Sequence, residues 1–207
     1  MAGLLSNSEY ILEKHPWNWY APPDSKSLVI GTFPSALKNR KYDFYYPNPA
    51  NFFWRIMSEI SGIPLLHFSG EQAVIERKNI LTKLHLAISD MGKTIARYKE
   101  SSLDEHLEVR EYMEVFKILE ENPGIEKIIF TSSSGKSSAA KWFLQYLNSM
   151  GIKHKFPKER KPVRSEFIFN DRKISLVIAF SPSPRAANRI TFEKLVEIYR
   201  NEILYLV

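Results

Sequence analysis

No cysteine occurs among the 207 residues of this chain. Disulfide scaffolds, thiolate zinc sites, iron–sulfur clusters and thiol nucleophiles are thereby excluded together, and any chemistry must run on oxygen and nitrogen side chains. Long hydrophobic runs are missing too: no stretch approaches the roughly 18 apolar residues that span a bilayer. The amino terminus MAGLLSNSEYILEKHPW has no basic start followed by an apolar run. A cytoplasmic protein with no membrane association is expected. The five histidines, His15, His67, His85, His106 and His154, lack metal-ligand spacing, and neither an HExxH pair nor a GxSxG serine elbow occurs. Neither a metal enzyme nor a serine-nucleophile hydrolase is expected. The run SSSGKSS (132–138) resembles a phosphate-binding loop but lacks its first glycine, because Phe130 stands five positions before Gly135. It reads as a serine-rich helix cap that satisfies free amides.

What is present is globular in character. Hydrophobic residues make up 44%, aromatics 13% and charged residues 25%, too many rings for a disordered chain. The length suits one domain over 1–207. Formal net charge is +6, which favours a polyanionic partner. Segment 153–164 (KHKFPKERKPVR) concentrates Lys153, Lys155, Lys158, Arg160, Lys161 and Arg164 against Glu159 alone, and its two prolines argue for a loop. That loop is either a solvated connection or an arm that contacts phosphates through Lys158, Arg160 and Lys161.

Short apolar runs at 27–32, 85–90, 125–131 and 174–180 read as buried strands. Helical spacing appears at 51–60, 104–121, 136–150 and 191–205, with a polar stretch at 71–83 also compatible with a helix. Near-continuous apolar strands alternating with helices give an α/β fold class. The expected architecture is a three-layer α/β/α sandwich with a central four-stranded parallel sheet. Ligands bind beyond the carboxyl ends of such strands, which directs attention to 31–51, 89–97, 131–136 and 181–189. There the sequence offers GTFPS (31–35), the aromatic and asparagine run FYYPNPANFFW (44–54) and SPSPRAANR (181–189). Such a pocket can stack a planar ring on Tyr45 or Tyr46, hydrogen-bond its edges with Asn48 or Asn51, and approach phosphate through Ser181 to Ser183. An aromatic run serves equally well as core.

Four blocks in order, GTFPS, YYPNPANFFW, LAISDMGKTIARYKESSLD and SPSPRAANRITFEKL, resemble the uracil-DNA glycosylase superfamily, nearest to its hypoxanthine-DNA (deoxyinosine) branch. The resemblance covers nearly the whole chain and implies a monomeric, monofunctional DNA N-glycosylase. Its partner would be DNA containing a deaminated base, and it would need no metal or cofactor. It implies that Phe33, Tyr45, Tyr46 and Asn48 surround the base. Asn51, ranked slightly ahead of Asp90, would handle water or the developing sugar cation, and Ser181, Ser183, Arg185, Asn188 and Arg189 would contact DNA. Two departures matter. Phe33 stands where the mismatch-specific branch has a water-positioning asparagine, as in the deoxyinosine branch, and TSSSGKSSA replaces the family's asparagine–glycine loop, leaving uracil and hypoxanthine both open. Lys136 reads as a surface charge or phosphate contact in preference to a Schiff-base nucleophile. The rival expectations are a catalytically silent nucleic-acid-binding module and a hydrolase of free nucleosides or nucleotides.

Overall fold

The computed structural model describes residues 9–184 and 189–204. Its middle is a five-stranded sheet in the order β3-β2-β6-β8-β7, formed by β2 (Ser27–Gly31), β3 (Leu86–Asp90), β6 (Lys127–Phe130), β7 (Val163–Phe169) and β8 (Arg172–Ile178). Four of these strands run parallel, while β7 pairs antiparallel with β8. The expected four-stranded, wholly parallel sheet is therefore corrected to a mixed sheet of five. Alternation explains the fifth strand: Val163, Phe167 and Phe169 point inward while Arg164, Glu166 and Ile168 are exposed, the pattern of a half-covered antiparallel edge. The turn into β8 uses Asn170 and Asp171, both at positive φ, as a two-residue hairpin requires.

The parallel strands are buried on both faces, so their residues divide alternately between two cores. Leu28, Ile30, Ile128 and Phe130 pack on one side with α3 (Val115–Glu121) and α4 (Ala139–Ser149). Val29, Ile88, Ile129 and Val177 pack on the other with α1 (Phe53–Ser61), α2 (Gly70–Lys83) and α5 (Phe192–Ile203). Phe53, Trp54, Ile56 and Met57 form the inner stripe of α1, and full burial of such side chains contributes about 1.5–3 kcal/mol each.

A second, three-stranded antiparallel sheet in the order β1-β4-β5 comprises β1 (Tyr10–Lys14), β4 (Gly92–Tyr98) and β5 (Leu107–Tyr112). The helix expected over 104–121 is corrected accordingly. A short 3-10 turn at Asp104–His106 and the strand β5 occupy its first half, and α3 begins only at Val115. Strand β1 inverts the usual polarity: Ile11 and Leu12 are 50% and 66% exposed, and Glu13 is its most covered residue. Buried Arg97 donates to Glu13 Oε1 at 2.7 Å and to the Pro34 carbonyl at 2.8 Å, so β1 and β4 together anchor the loop after β2. Among the described residues no helix is long and apolar enough to cross a membrane.

Candidate active site

The carboxyl ends of β2, β3, β6 and β8 share one edge, and Gly31 lies directly beside Asp90 in the β2–β3 register. Asp90 is 5% exposed. Its Oδ2 accepts from His15 Nε2 at 3.0 Å, and Oδ1 lies over Gly31, where an added Cβ would overlap it and come within 3.0 Å of the Tyr46 hydroxyl. Glycine is required at 31 because two polar groups from other elements meet above its Cα.

Tyr46 reaches this point from the loop before α1. Its ring is stacked on Phe53, with centroids 4.1 Å apart and planes 19° apart, and its hydroxyl meets Thr131 Oγ1 at 3.0 Å. The backbone takes φ +48°, an uncommon left-handed conformation for an aromatic residue, and is held there by the Tyr42 hydroxyl donating to the Tyr46 carbonyl at 2.8 Å. Burial first, and then the negative charge of Asp90, hold the Tyr46 phenol well above its ordinary value; Asp104 adds to this more weakly. The hydroxyl therefore keeps its proton as a donor near two carboxylates.

Tyr45 points the other way. It is 1% exposed, donates its hydroxyl to the Asn18 carbonyl at 2.9 Å, and packs on His15 and Trp17. Phe33 is likewise buried, edge-on to His15 at 5.3 Å and beneath the Arg97 guanidinium. Of the four residues expected around a base, Tyr46 and Asn48 remain partly exposed. Asn48 accepts the amide of Ala50 at 3.0 Å, and Asn51 accepts the amide of Phe53 at 2.9 Å, so both side chains also shape the entry to α1. The amide of Phe52 donates to the Pro182 carbonyl at 2.9 Å, joining this entry to the last-strand loop.

A directed chain of hydrogen bonds lies alongside. The amide of Ala139 donates to Ser132 Oγ at 2.8 Å, the Ser132 and Thr32 hydroxyls are 2.9 Å apart, and Thr32 donates to Asp104 Oδ2 at 2.8 Å. Thr32 has one hydrogen and gives it to Asp104, so Ser132 gives its own to Thr32. The serine-rich run thus caps α4, as expected, and also braces a second acid. Two surface grooves, one of about 430 Å³ beside Arg40 and Tyr42 and one of about 370 Å³ beneath Lys161 and Phe180, are lined by neither Asp90, Tyr46 nor Asn51.

No protein-family model and no curated protein matches this chain.

Because β7 runs antiparallel, the basic loop that precedes it arrives at the same edge as the ends of the parallel strands: Val163 pairs with Ile178. Lys158 and Arg160 are exposed and form no ion pair among the described residues. Arg164 is paired with Glu202. Burial pushes the Lys161 ammonium below its ordinary value, and the positive charge of Arg189 adds to the effect, which brings two separate basic segments together. Ser181 Oγ accepts the amide of Ser183 at 3.2 Å. Arg185 and Asn188 lie outside the described residues. Lys136 is exposed in the turn before α4.

Sequence reasoning passed over His15, Thr32, Asp104 and Thr131. Asp104 sits inside the third block, SSLD, but nothing in its spacing marks it. His15 follows a strand whose apolar residues face outward, so no alternation signals its inward turn.

Proposed function

We propose that this chain is a DNA glycosylase of the uracil-DNA glycosylase type, acting on a deaminated base, uracil or hypoxanthine, extruded from DNA. The observation that carries this reading is the convergence of Asp90 Oδ1 and the Tyr46 hydroxyl over Gly31. These groups come from two adjacent strand ends, Gly31 and Tyr46 from β2 and the connection after it and Asp90 from β3, at the carboxyl edge of a largely parallel sheet, where this architecture binds ligands. Further support comes from the four sequence blocks and from the basic loop that shares this edge. The architecture consistent with the reading is a three-layer α/β/α sandwich, its helices lying on both faces of the sheet.

In this reading a water molecule held by Asp90 adds its oxygen to the sugar C1′ as the C1′–N bond breaks. The departing base keeps the bonding pair, Asp90 accepts the proton the water gives up and releases it to solvent, the base takes up one proton from solvent, and the products are the free base and an abasic site. Burial keeps Asp90 away from competing solvent, where its charge also stabilises the developing sugar cation. The Tyr46 ring floors the base pocket, Asn51 presents its amide to the sugar or the water, and Lys158, Arg160, Lys161 and Arg189 hold phosphates. Of the two candidate catalytic side chains, geometry favours Asp90 for water activation, since the Asn51 side-chain oxygen is already engaged with Phe53.

The test is incubation with duplex and single-stranded oligonucleotides containing uracil, hypoxanthine, xanthine or a mismatch, followed by alkaline cleavage. Strand scission at one of these bases supports the reading. Binding without scission would favour the silent module, and release of base only from free nucleosides or nucleotides would favour the small-molecule hydrolase.

A further inference from the structure

We infer that His15 is the positioning residue of Asp90, holding one carboxylate oxygen so that the other faces the reacting centre. The inference rests on the glycosylase reading for its chemistry and on geometry for its existence. The His15 and Asp90 side chains are 2% and 7% exposed and meet at 3.0 Å through Nε2 and Oδ2. A carboxylate only accepts, so Nε2 carries the hydrogen. The ring has little freedom. Nδ1 faces the Trp17 backbone, 3.2 Å from its amide, which donates to it, and 2.6 Å from its carbonyl, the His15 amide donates to the Lys93 carbonyl at 2.8 Å, and Phe33, Trp17 and Tyr45 pack around the imidazole.

With Oδ2 engaged, Oδ1 is the oxygen above Gly31 beside the Tyr46 hydroxyl, and it accepts no hydrogen bond among the described residues. Two oxygens of one buried carboxylate thus have separate tasks: one is fixed by a donor and one is open to a water. This is the logic by which a third group orients a catalytic side chain, with the imidazole orienting the acid. Strand β1 has a cost that this role explains. It leaves Ile11 and Leu12 in solvent while turning Glu13 toward Arg97 and delivering His15 to Asp90. A strand kept only for packing would turn its apolar residues inward.

The test compares His15→Gln, which retains an N–H donor at similar reach, with His15→Phe, which retains the ring contacts and loses the donor. Single-turnover excision and DNA affinity are measured on both. The positioning role predicts that His15→Phe loses more than about tenfold in rate with affinity unchanged, and that His15→Gln recovers to within about threefold of the parent. A packing role predicts the reverse order, and that result overturns the inference. A second measurement needs no activity. A buried Nε2–H given to a carboxylate yields a slowly exchanging, downfield proton resonance, which should be present in the parent, absent in His15→Phe and shifted in Asp90→Ala. If the parent excises no base, the glycosylase reading falls and this resonance alone decides whether His15 holds Asp90; its absence from the parent overturns the inference.

Discussion

The side-chain oxygen of Asn51 accepts the backbone N–H of Phe53 at 2.9 Å, which fixes the entry of the chain into α1. In the proposed reading its amide nitrogen is the group left for substrate. Asn51→Ala should lose about 1 kcal/mol of stability with the helix-start acceptor and more than about tenfold in excision rate, with DNA affinity little changed. Asn51→Asp separates the two roles, because it keeps the acceptor and removes the donor. Its melting temperature should match the parent while the rate falls as in Asn51→Ala. An Asn51→Asp variant with parental rate would confine Asn51 to helix capping.

Gly31→Ala tests the close approach above β2. The new methyl group would displace the Asp90 carboxylate, and overpacking of this kind costs about 1–3 kcal/mol. Excision should fall by more than about tenfold even at temperatures where the variant is fully folded by circular dichroism. An active, folded Gly31→Ala would separate Asp90 from the chemistry.

Tyr46 makes a stacking contact with Phe53 and a hydroxyl contact with Thr131, so its variants should divide. Tyr46→Phe keeps the π-face and should keep base stacking, so any fall in its rate reports the hydroxyl that stands with Asp90 Oδ1 over Gly31. Tyr46→Ala should lose about 5- to 150-fold in binding or rate, the equivalent of one base–aromatic stack, together with about 3 kcal/mol or more of stability from the vacated space. If the folded fraction of Tyr46→Ala retains full activity, the ring is core only.

Neutralising Lys158, Arg160 and Lys161 together should weaken DNA affinity evenly across sequences and flatten its salt dependence, as lost phosphate contacts do. Lys161 adds a pH signature. Its ammonium is held below the ordinary lysine value by burial and by Arg189, so it loses its charge earlier on the alkaline side. Parental affinity should therefore decline at a lower pH than lysines of ordinary value, about 10.4, would dictate. Lys161→Arg should remove that early decline. Anisotropy titrations across the alkaline range read both effects, and an unchanged salt slope returns the loop to solvated surface.

Four phenols whose values burial raises should set the alkaline limit of the fold. Burial raises Tyr42 to about 12, and Tyr45, Tyr46 and Tyr199 also stand above their ordinary value. A raised folded value means that the associated stability is fully present below the unfolded value of about 10 and is lost as pH rises through the folded values. Phenolate absorbance should show these rings ionising together with unfolding. Tyr42→Phe should lose about 1 kcal/mol at neutral pH with its bond to the Tyr46 carbonyl, and should show a shallower alkaline decline.

The parallel strands and their helices were legible because burial on both sides writes near-continuous apolar runs, as in Leu28–Val29–Ile30. The helices α1, α4 and α5 were legible in place, though α1 begins at Phe53, four residues after Pro49, and α4 at Ala139, just past the serine run; α5 follows Thr191, whose side chain accepts from the amide of Lys194. The antiparallel elements were hidden for different reasons. Strand β7 opens directly after a proline-rich basic loop, β5 is buried only at Leu107 and adjoins helical spacing, and β1 exposes the residues that normally mark a core. The same inversion concealed His15. Asp90 and Asn51 could be named from their blocks, but only the folded geometry reveals that one is held by an imidazole and the other by a helix start.

A single residue, Met91, separates the end of β3 at Asp90 from the start of β4 at Gly92, so the chain leaves one sheet and enters the other beside the Asp90 carboxylate. Met91 is fixed on both sides, its amide donating to Gly31 and its carbonyl accepting from Met113, while the Gly92 amide donates to Thr32. An added or deleted residue here would turn every β4 side chain to the opposite face, expelling Ile95 and misaligning Arg97. Lineages of this chain can drift in length through 150–162, where a long connection crosses the surface, since doubling a loop costs only about 0.6 kcal/mol. At the seam between the sheets they have no such latitude, and the spacing from Asp90 to Arg97 should stay constant while the sequence around it changes.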